Sequence, residues 1–77
     1  MTGPADRDVR FNRDRDRWDI TPAGSRVALL NARDRDDAER IAASVVSNGG
    51  GGTVRVLDEH GNVLAQHTIE PRWLRDG

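Results

Sequence analysis

The sequence contains no cysteine and no lysine, few aromatic residues and no long hydrophobic segment. Without cysteine it can form no disulfide framework, has no thiol nucleophile and lacks the thiolate ligands of zinc fingers. No segment approaches the ~18 apolar residues of a membrane span, and the first residues lack the apolar stretch of a signal peptide. We therefore expect a cytoplasmic protein.

The composition points to one small domain with a thin core. The 77 residues are 35% hydrophobic and 32% charged, which leaves few side chains for a hydrophobic centre. Twelve basic residues, all arginine, stand against thirteen acidic ones, so the net charge is −1. Proteins that bind nucleic acid through its phosphates usually carry a basic excess, so the charge weighs against that function.

One segment, Asp34 to Gly49, has a clear helical pattern. Asp34 is a suitable N-cap, and the acidic residues after it meet the positive end of the helix dipole. Asn48 or Gly49 can adopt the left-handed conformation in which helices commonly end. The pattern predicts a helix that lies close against a sheet through a stripe of mostly small residues: Ala38, Ile41, Ala42, Val45 and Val46.

Alternating apolar and polar residues predict strands on both sides of this helix. Trp18 and Ile20 share one face of the second strand, which favours a core position for Trp18. Val27 to Leu30 is either a third strand or a continuation of the second. The predicted fold class is α+β: an antiparallel β-sheet with one α-helix packed on one face, the other face open, in the order β-β-(β)-α-β-β.

The last hairpin allows two strand registers. A turn over residues 58–62, closed by a left-handed glycine, places Val56 opposite Leu64. We expect Val54, Val56 and Leu64 to face the helix, and a bulge at Gly61 is the alternative that would shift this register. The predicted domain spans residues 8–70, between a disordered N-terminus (1–7) and a C-terminal tail (71–77).

The chain from Trp18 onward resembles the DUF2188 domain, a family of small prokaryotic proteins of unknown function. The matching positions are Trp18, Ile20 and Gly24, then Asp34, Asp37, Ala38 and Ala42 in the helix, and Gly49–Gly52, Val54, Val56 and Gly61 after it. Ala32 and His60 depart from the family pattern. The resemblance covers about residues 9–69; it implies a fold and no activity.

The first half is also similar, more weakly, to the arm-type DNA-binding domain of tyrosine recombinases, which lays the open face of a three-stranded sheet in the major groove. That resemblance implies DNA contacts from open-face positions, among which Asp19 is a poor neighbour for phosphate. The full set is Arg10, Asn12, Arg17, Asp19, Thr21 and Arg26.

Catalytic groupings are not evident in the sequence. His60 lies in a predicted turn and His67 on a predicted strand, with no spacing typical of a metal site. The serines have no nearby histidine and no nucleophile-elbow motif. We expect no enzyme activity, no cofactor and no bound metal.

Two functions remain. The first is a small non-catalytic interaction module with a protein partner, or a homodimer that pairs an edge strand or uses Trp73. The second is nucleic-acid binding through five arginines in the N-terminal hairpin and on the open sheet face: Arg10, Arg13, Arg15, Arg17 and Arg26. The near-neutral charge ranks the interaction module first.

Overall fold

The computed structural model describes residues 5–25 and 27–75. Arg26, residues 1–4 of the predicted disordered N-terminus and the last two residues of the predicted tail lie outside the described residues. The elements are β1 (Arg7–Asn12), β2 (Arg17–Pro22), β3 (Leu30–Ala32), α1 (Arg35–Asn48), β4 (Gly52–Leu57), β5 (Val63–Ile69) and α2 (Arg72–Arg75).

The five strands form one sheet in the order β3-β2-β1-β4-β5, and α1 packs across one face, mainly on β4 and β1. This confirms the α+β class with one helix on one face of a sheet. The sheet is mixed, because β1 and β4 pair in parallel, so the prediction of an antiparallel sheet was wrong for this pair of strands. Between β1 and β4 the chain passes through β2, β3 and α1, and a connection of this length allows two strands to pair in parallel.

The helix forms where predicted. Asp34 is the N-cap, and its Oδ1 accepts a hydrogen bond from the Asp37 amide at 2.8 Å. The left-handed residue at the other end is Gly50 (φ 105°), whereas Asn48 or Gly49 was predicted. The Gly51 amide donates to the Val46 carbonyl at 2.8 Å, the Schellman arrangement that satisfies the last carbonyl groups of a helix.

The core is a single layer between α1 and the sheet. Ala38 and Ala42 are fully buried, and their small side chains let α1 approach the strands closely. The other buried members of the cluster are Val9, Ile20, Val46, Val54 and Val56. Trp18 packs against this cluster and contacts the Phe11 ring at a centroid distance of 5.2 Å, which confirms its predicted core position.

The third strand begins later than Val27 to Leu30. Its pairing runs from Ile20 opposite Leu30 to Trp18 opposite Ala32. A turn that starts at Pro22 and a loop after it separate the strands, and only Leu29 and the residues after it return to β2. Val27 and Leu29 are exposed.

The last hairpin turns as predicted, but its strand register differs. Asp58 accepts hydrogen bonds from the His60 and Asn62 amides, and the bonds from Asn62 lower the pKa of Asp58 most. Val56 then pairs with Ala65, because a bulge in β5 leaves Leu64 without a partner on β4. Leu64 is 51% exposed, so its predicted position against the helix was wrong.

The ordered part of the fold begins before residue 8. β1 starts at Arg7, and the Asp6 carboxylate accepts a hydrogen bond from the Thr53 amide at 2.8 Å. Ala5 is buried, and the structure places its Cβ against Gly49. These contacts tie the first described residues to the start of β4 and the end of α1.

Candidate interaction surface

The two outer strands of the sheet differ in how much unpaired backbone they present. β3 has only three residues, and a short edge strand is one of the ways in which proteins limit edge pairing. β5 has seven residues and contains no Asp, Glu, Lys, Arg or Pro. Its bulge protects the first part of the strand, and Ala65 to Ile69 remain a regular edge that lacks the usual devices against pairing.

Exposed apolar side chains lie at both ends of β5. Val63 and Leu64 are exposed where the strand begins. At the other end α2 follows, and it presents Trp73, which is 71% exposed, and Leu74. Exposed hydrophobic side chains beside an unpaired strand edge are typical of a protein contact surface.

The position of α2 is fixed by the loop that follows α1. Gly51 has φ 87°, and a Cβ on it would lie 2.9 Å from Pro71 Cδ and 3.0 Å from the Ile69 carbonyl oxygen. Only a glycine allows this approach of backbone to proline. Arg72 lies beside the exposed side of α1, where it lines a concavity with Ser44 and Ser47. Trp73 is therefore held at the β5 end of the molecule.

A groove of about 400 Å³ separates α1 from β5. It is lined by the apolar Ala43, Val54 and Ile69, together with Asp36, Glu39, Arg40 and His67. At its rim His67 Nε2 lies 3.1 Å from Glu39 Oε1, and Arg35 Nε lies 3.5 Å from Glu39 Oε2. Exposed ion pairs of this kind contribute little to stability, about 0–1 kcal/mol. The groove continues the apolar surface of β5 onto the helix side of the sheet.

The open sheet face is polar and internally paired. Asp8 is 4% exposed, and its carboxylate accepts two hydrogen bonds from Arg55, from Nε at 2.9 Å and from Nη2 at 2.8 Å. These bonds raise the pKa of Arg55, and the Gly24 amide also donates to Asp8. Sequence reasoning missed both members of this pair, because 47 residues separate them along the chain.

The predicted nucleic-acid arginines fall into two groups. Arg10 Nη2 donates to the Glu59 carbonyl at 3.1 Å, and Arg13 Nη1 lies 3.8 Å from Glu59 Oε1. Arg15 and Arg17 lie instead beside Arg33, a residue that the sequence prediction left out. Arg26 is outside the described residues. The structure therefore does not gather these side chains into one continuous basic surface.

The concavity next to Arg10 and Arg13 is mixed in charge. It measures about 400 Å³, and the two arginines share it with three carboxylates, those of Asp14, Asp19 and Glu59. The acidic side chains outnumber the basic ones, so this part of the open face is unfavourable for a phosphate backbone.

The two histidines lie in different elements and have different neighbours. His60 is exposed in the turn beside Glu59, and His67 lies on β5. Across residues 5–25 and 27–75, no group of three or more His, Cys, Asp or Glu side chains is arranged to hold a metal ion. In the same residues, no helix has the length and apolarity needed to cross a membrane.

In comparisons with known proteins, the chain matches no protein-family model, no curated protein and no solved structure. The similarity to the DUF2188 domain therefore stays a prediction.

Proposed function

We propose that this protein is a small non-catalytic interaction module that self-associates through the edge of β5. One observation carries the proposal: a seven-residue outer strand without charged residues has exposed apolar side chains at both of its ends. The outward amide and carbonyl groups of such a strand can pair with another strand, and the apolar side chains add buried area.

A second copy fits this edge because antiparallel pairing of two identical strands is self-complementary. Pairing centred on His67, the middle of the regular stretch Ala65 to Ile69, brings the end of one β5 next to the beginning of the other. Trp73 and Leu74 of one copy then lie at the same end as Val63 and Leu64 of its partner, and the reverse holds across the two-fold axis. Both apolar pairs are covered at once by one symmetric contact.

Charge also permits self-association. β5 contains no Asp, Glu, Lys or Arg, and the net charge of the chain is −1. Identical strands therefore meet without the like-charge repulsion that protects most edges. Nucleic acid ranks lower as a partner, because Glu59 contacts both Arg10 and Arg13.

Sedimentation equilibrium over a wide range of protein concentrations tests the proposal. We expect a monomer–dimer equilibrium for the natural sequence and a monomer for Thr68→Lys, which places two lysines near the centre of the paired strands. Thr68 is exposed on β5, so this variant should keep its fold, as circular dichroism can verify.

Asn31→Lys on β3 is the matched control, since it places the same charge on the opposite edge of the sheet. The dimer should persist in this variant. A natural sequence that stays monomeric throughout, or a dimer lost in Asn31→Lys and kept in Thr68→Lys, would contradict the proposal.

A further inference from the structure

Three arginines from different elements line one concavity of about 290 Å³. Arg15 comes from the turn between β1 and β2, Arg17 begins β2, and Arg33 follows β3. Asp16 is the fourth lining residue. Three guanidinium groups and one carboxylate give this concavity a net charge of +2.

The strand register brings two of these charges together. Trp18 pairs with Ala32 in the antiparallel β2–β3 ladder, so Arg17 and Arg33 are the next residues outward on the two strands. Like charges opposite each other on neighbouring strands destabilise a sheet. Arg17 Nη1 donates to Asn31 Oδ1 at 3.4 Å, a neutral partner that removes none of the positive charge.

Four other arginines have a carboxylate partner. Arg13, Arg35, Arg40 and Arg55 form ion pairs with Glu59, Glu39, Asp37 and Asp8 respectively. Within the described part of the chain, the side chains of Arg15 and Arg33 form neither a hydrogen bond nor an ion pair. Of the three arginines that line the concavity, none has a carboxylate partner among the described ion pairs.

We propose that Arg15, Arg17 and Arg33 form a binding site for a single phosphate group, either free phosphate or the phosphate monoester of a small molecule. Guanidinium groups match the oxygen atoms of phosphate in charge and in hydrogen-bond geometry. A monoester carries a charge of about −1.5 to −2 at pH 7, which compensates the net charge of the concavity.

The size of the concavity favours one phosphate group over a nucleic-acid strand. Its volume of about 290 Å³ lies at the lower limit of ordinary small-molecule sites, which begin at about 300 Å³. A second concavity on the open face has two arginines and three carboxylates in its lining, a net charge of −1, so a polyanion that extended from the site would meet no further positive excess.

The experiment is a titration with inorganic phosphate and, separately, with phenyl phosphate, followed by the side-chain Nε–Hε NMR signals of the arginines. We expect saturable shifts for Arg15, Arg17 and Arg33, and tighter binding of the ester as the pH rises through its second pKa of about 6. Tighter binding of inorganic phosphate would identify free phosphate as the ligand, and tighter binding of phenyl phosphate would identify a phosphate monoester.

Arg33→Gln should weaken binding about tenfold, since a charged hydrogen-bond donor is lost. Arg40→Gln is the matched control: Arg40 is also exposed, but it pairs with Asp37 on α1, and its loss should leave binding unchanged. Phosphate should also raise the melting temperature of the natural sequence and not that of Arg33→Gln.

Three results would overturn the site. The first is an equal response to sodium chloride at matched ionic strength, and the second is an equal loss of affinity in Arg40→Gln. The third is binding of duplex DNA that competes with phosphate and depends on Arg10 and Arg13, because it would indicate a phosphodiester surface. None of these measurements depends on the β5 contact, so the site and the proposed self-association fail or hold separately.

Discussion

The pairing of Asp8 with Arg55 links the two halves of the chain at the level of single residues. Asp8 lies on β1 and Arg55 on β4, directly opposite each other across the parallel ladder. A buried carboxylate needs such a partner, because an unpaired charge away from water is costly. The sequence shows two ordinary charged residues here, and only the strand pairing reveals their relation.

Asp8→Asn should lower the free energy of unfolding by about 2 kcal/mol. The substitution leaves the Arg55 guanidinium without its counter-charge, and the loss is limited because Arg55 is partly exposed and water can solvate it. Urea unfolding measures the change. Asp14→Asn is the control, since Asp14 is exposed in a turn, and equal stabilities of the two variants would contradict the assignment.

At the scale of elements, local signals predicted more than non-local ones. The ends of α1 could be predicted because Asp34 caps its own helix and glycines follow it directly. The position of Leu64 could not, because the bulge depends on how β5 meets β4. The grouping of Arg33 with Arg17 was missed for the same reason: it depends on the β2–β3 register, and β3 was predicted several residues too early.

The glycines after α1 give a matched test of how α2 is positioned. Gly50→Ala should cost about 1 kcal/mol, because φ is 105° and open space surrounds the new Cβ. Gly51→Ala bears the same conformational cost and also forces the new Cβ against Pro71 and the Ile69 carbonyl, which adds about 1–3 kcal/mol.

Urea unfolding of both variants measures this difference. The strength of the proposed dimer, to which Trp73 on α2 contributes, provides a second readout. Displacement of Pro71 in Gly51→Ala should move α2 and weaken the proposed dimer, while Gly50→Ala keeps it. Equal unfolding free energies for the two variants would show that the contact between Gly51 and Pro71 does not hold α2.

The general plan of the molecule, one main helix packed on one sheet, was predicted correctly from composition and periodicity. The parallel centre of the sheet was not predictable in the same way, because no local pattern in β1 or β4 records the direction of its neighbour. Both strands carry the alternation expected of a strand with one buried face, and that alternation is the same for either direction.

Under the proposed self-association, the stability of the whole molecule depends on the protein concentration. A folded dimer binds its partner only in the native state, so the melting temperature should rise as the protein concentration increases. Differential scanning calorimetry of the natural sequence and of Thr68→Lys measures this, and only the natural sequence should show the rise. A melting temperature independent of concentration in both proteins would argue for a folded monomer.

The parallel ladder between β1 and β4 has a consequence for how the protein is made. Residues 7–10 of β1 pair with residues 54–57 of β4. In a chain growing on the ribosome, this edge of β1 therefore has no partner until most of the protein has been synthesised. The helix emerges earlier, when three of the five strands of its supporting sheet have been made. We therefore expect the hydrophobic core to form only after β4 has been synthesised, and a chain truncated before β4 should have no packed core.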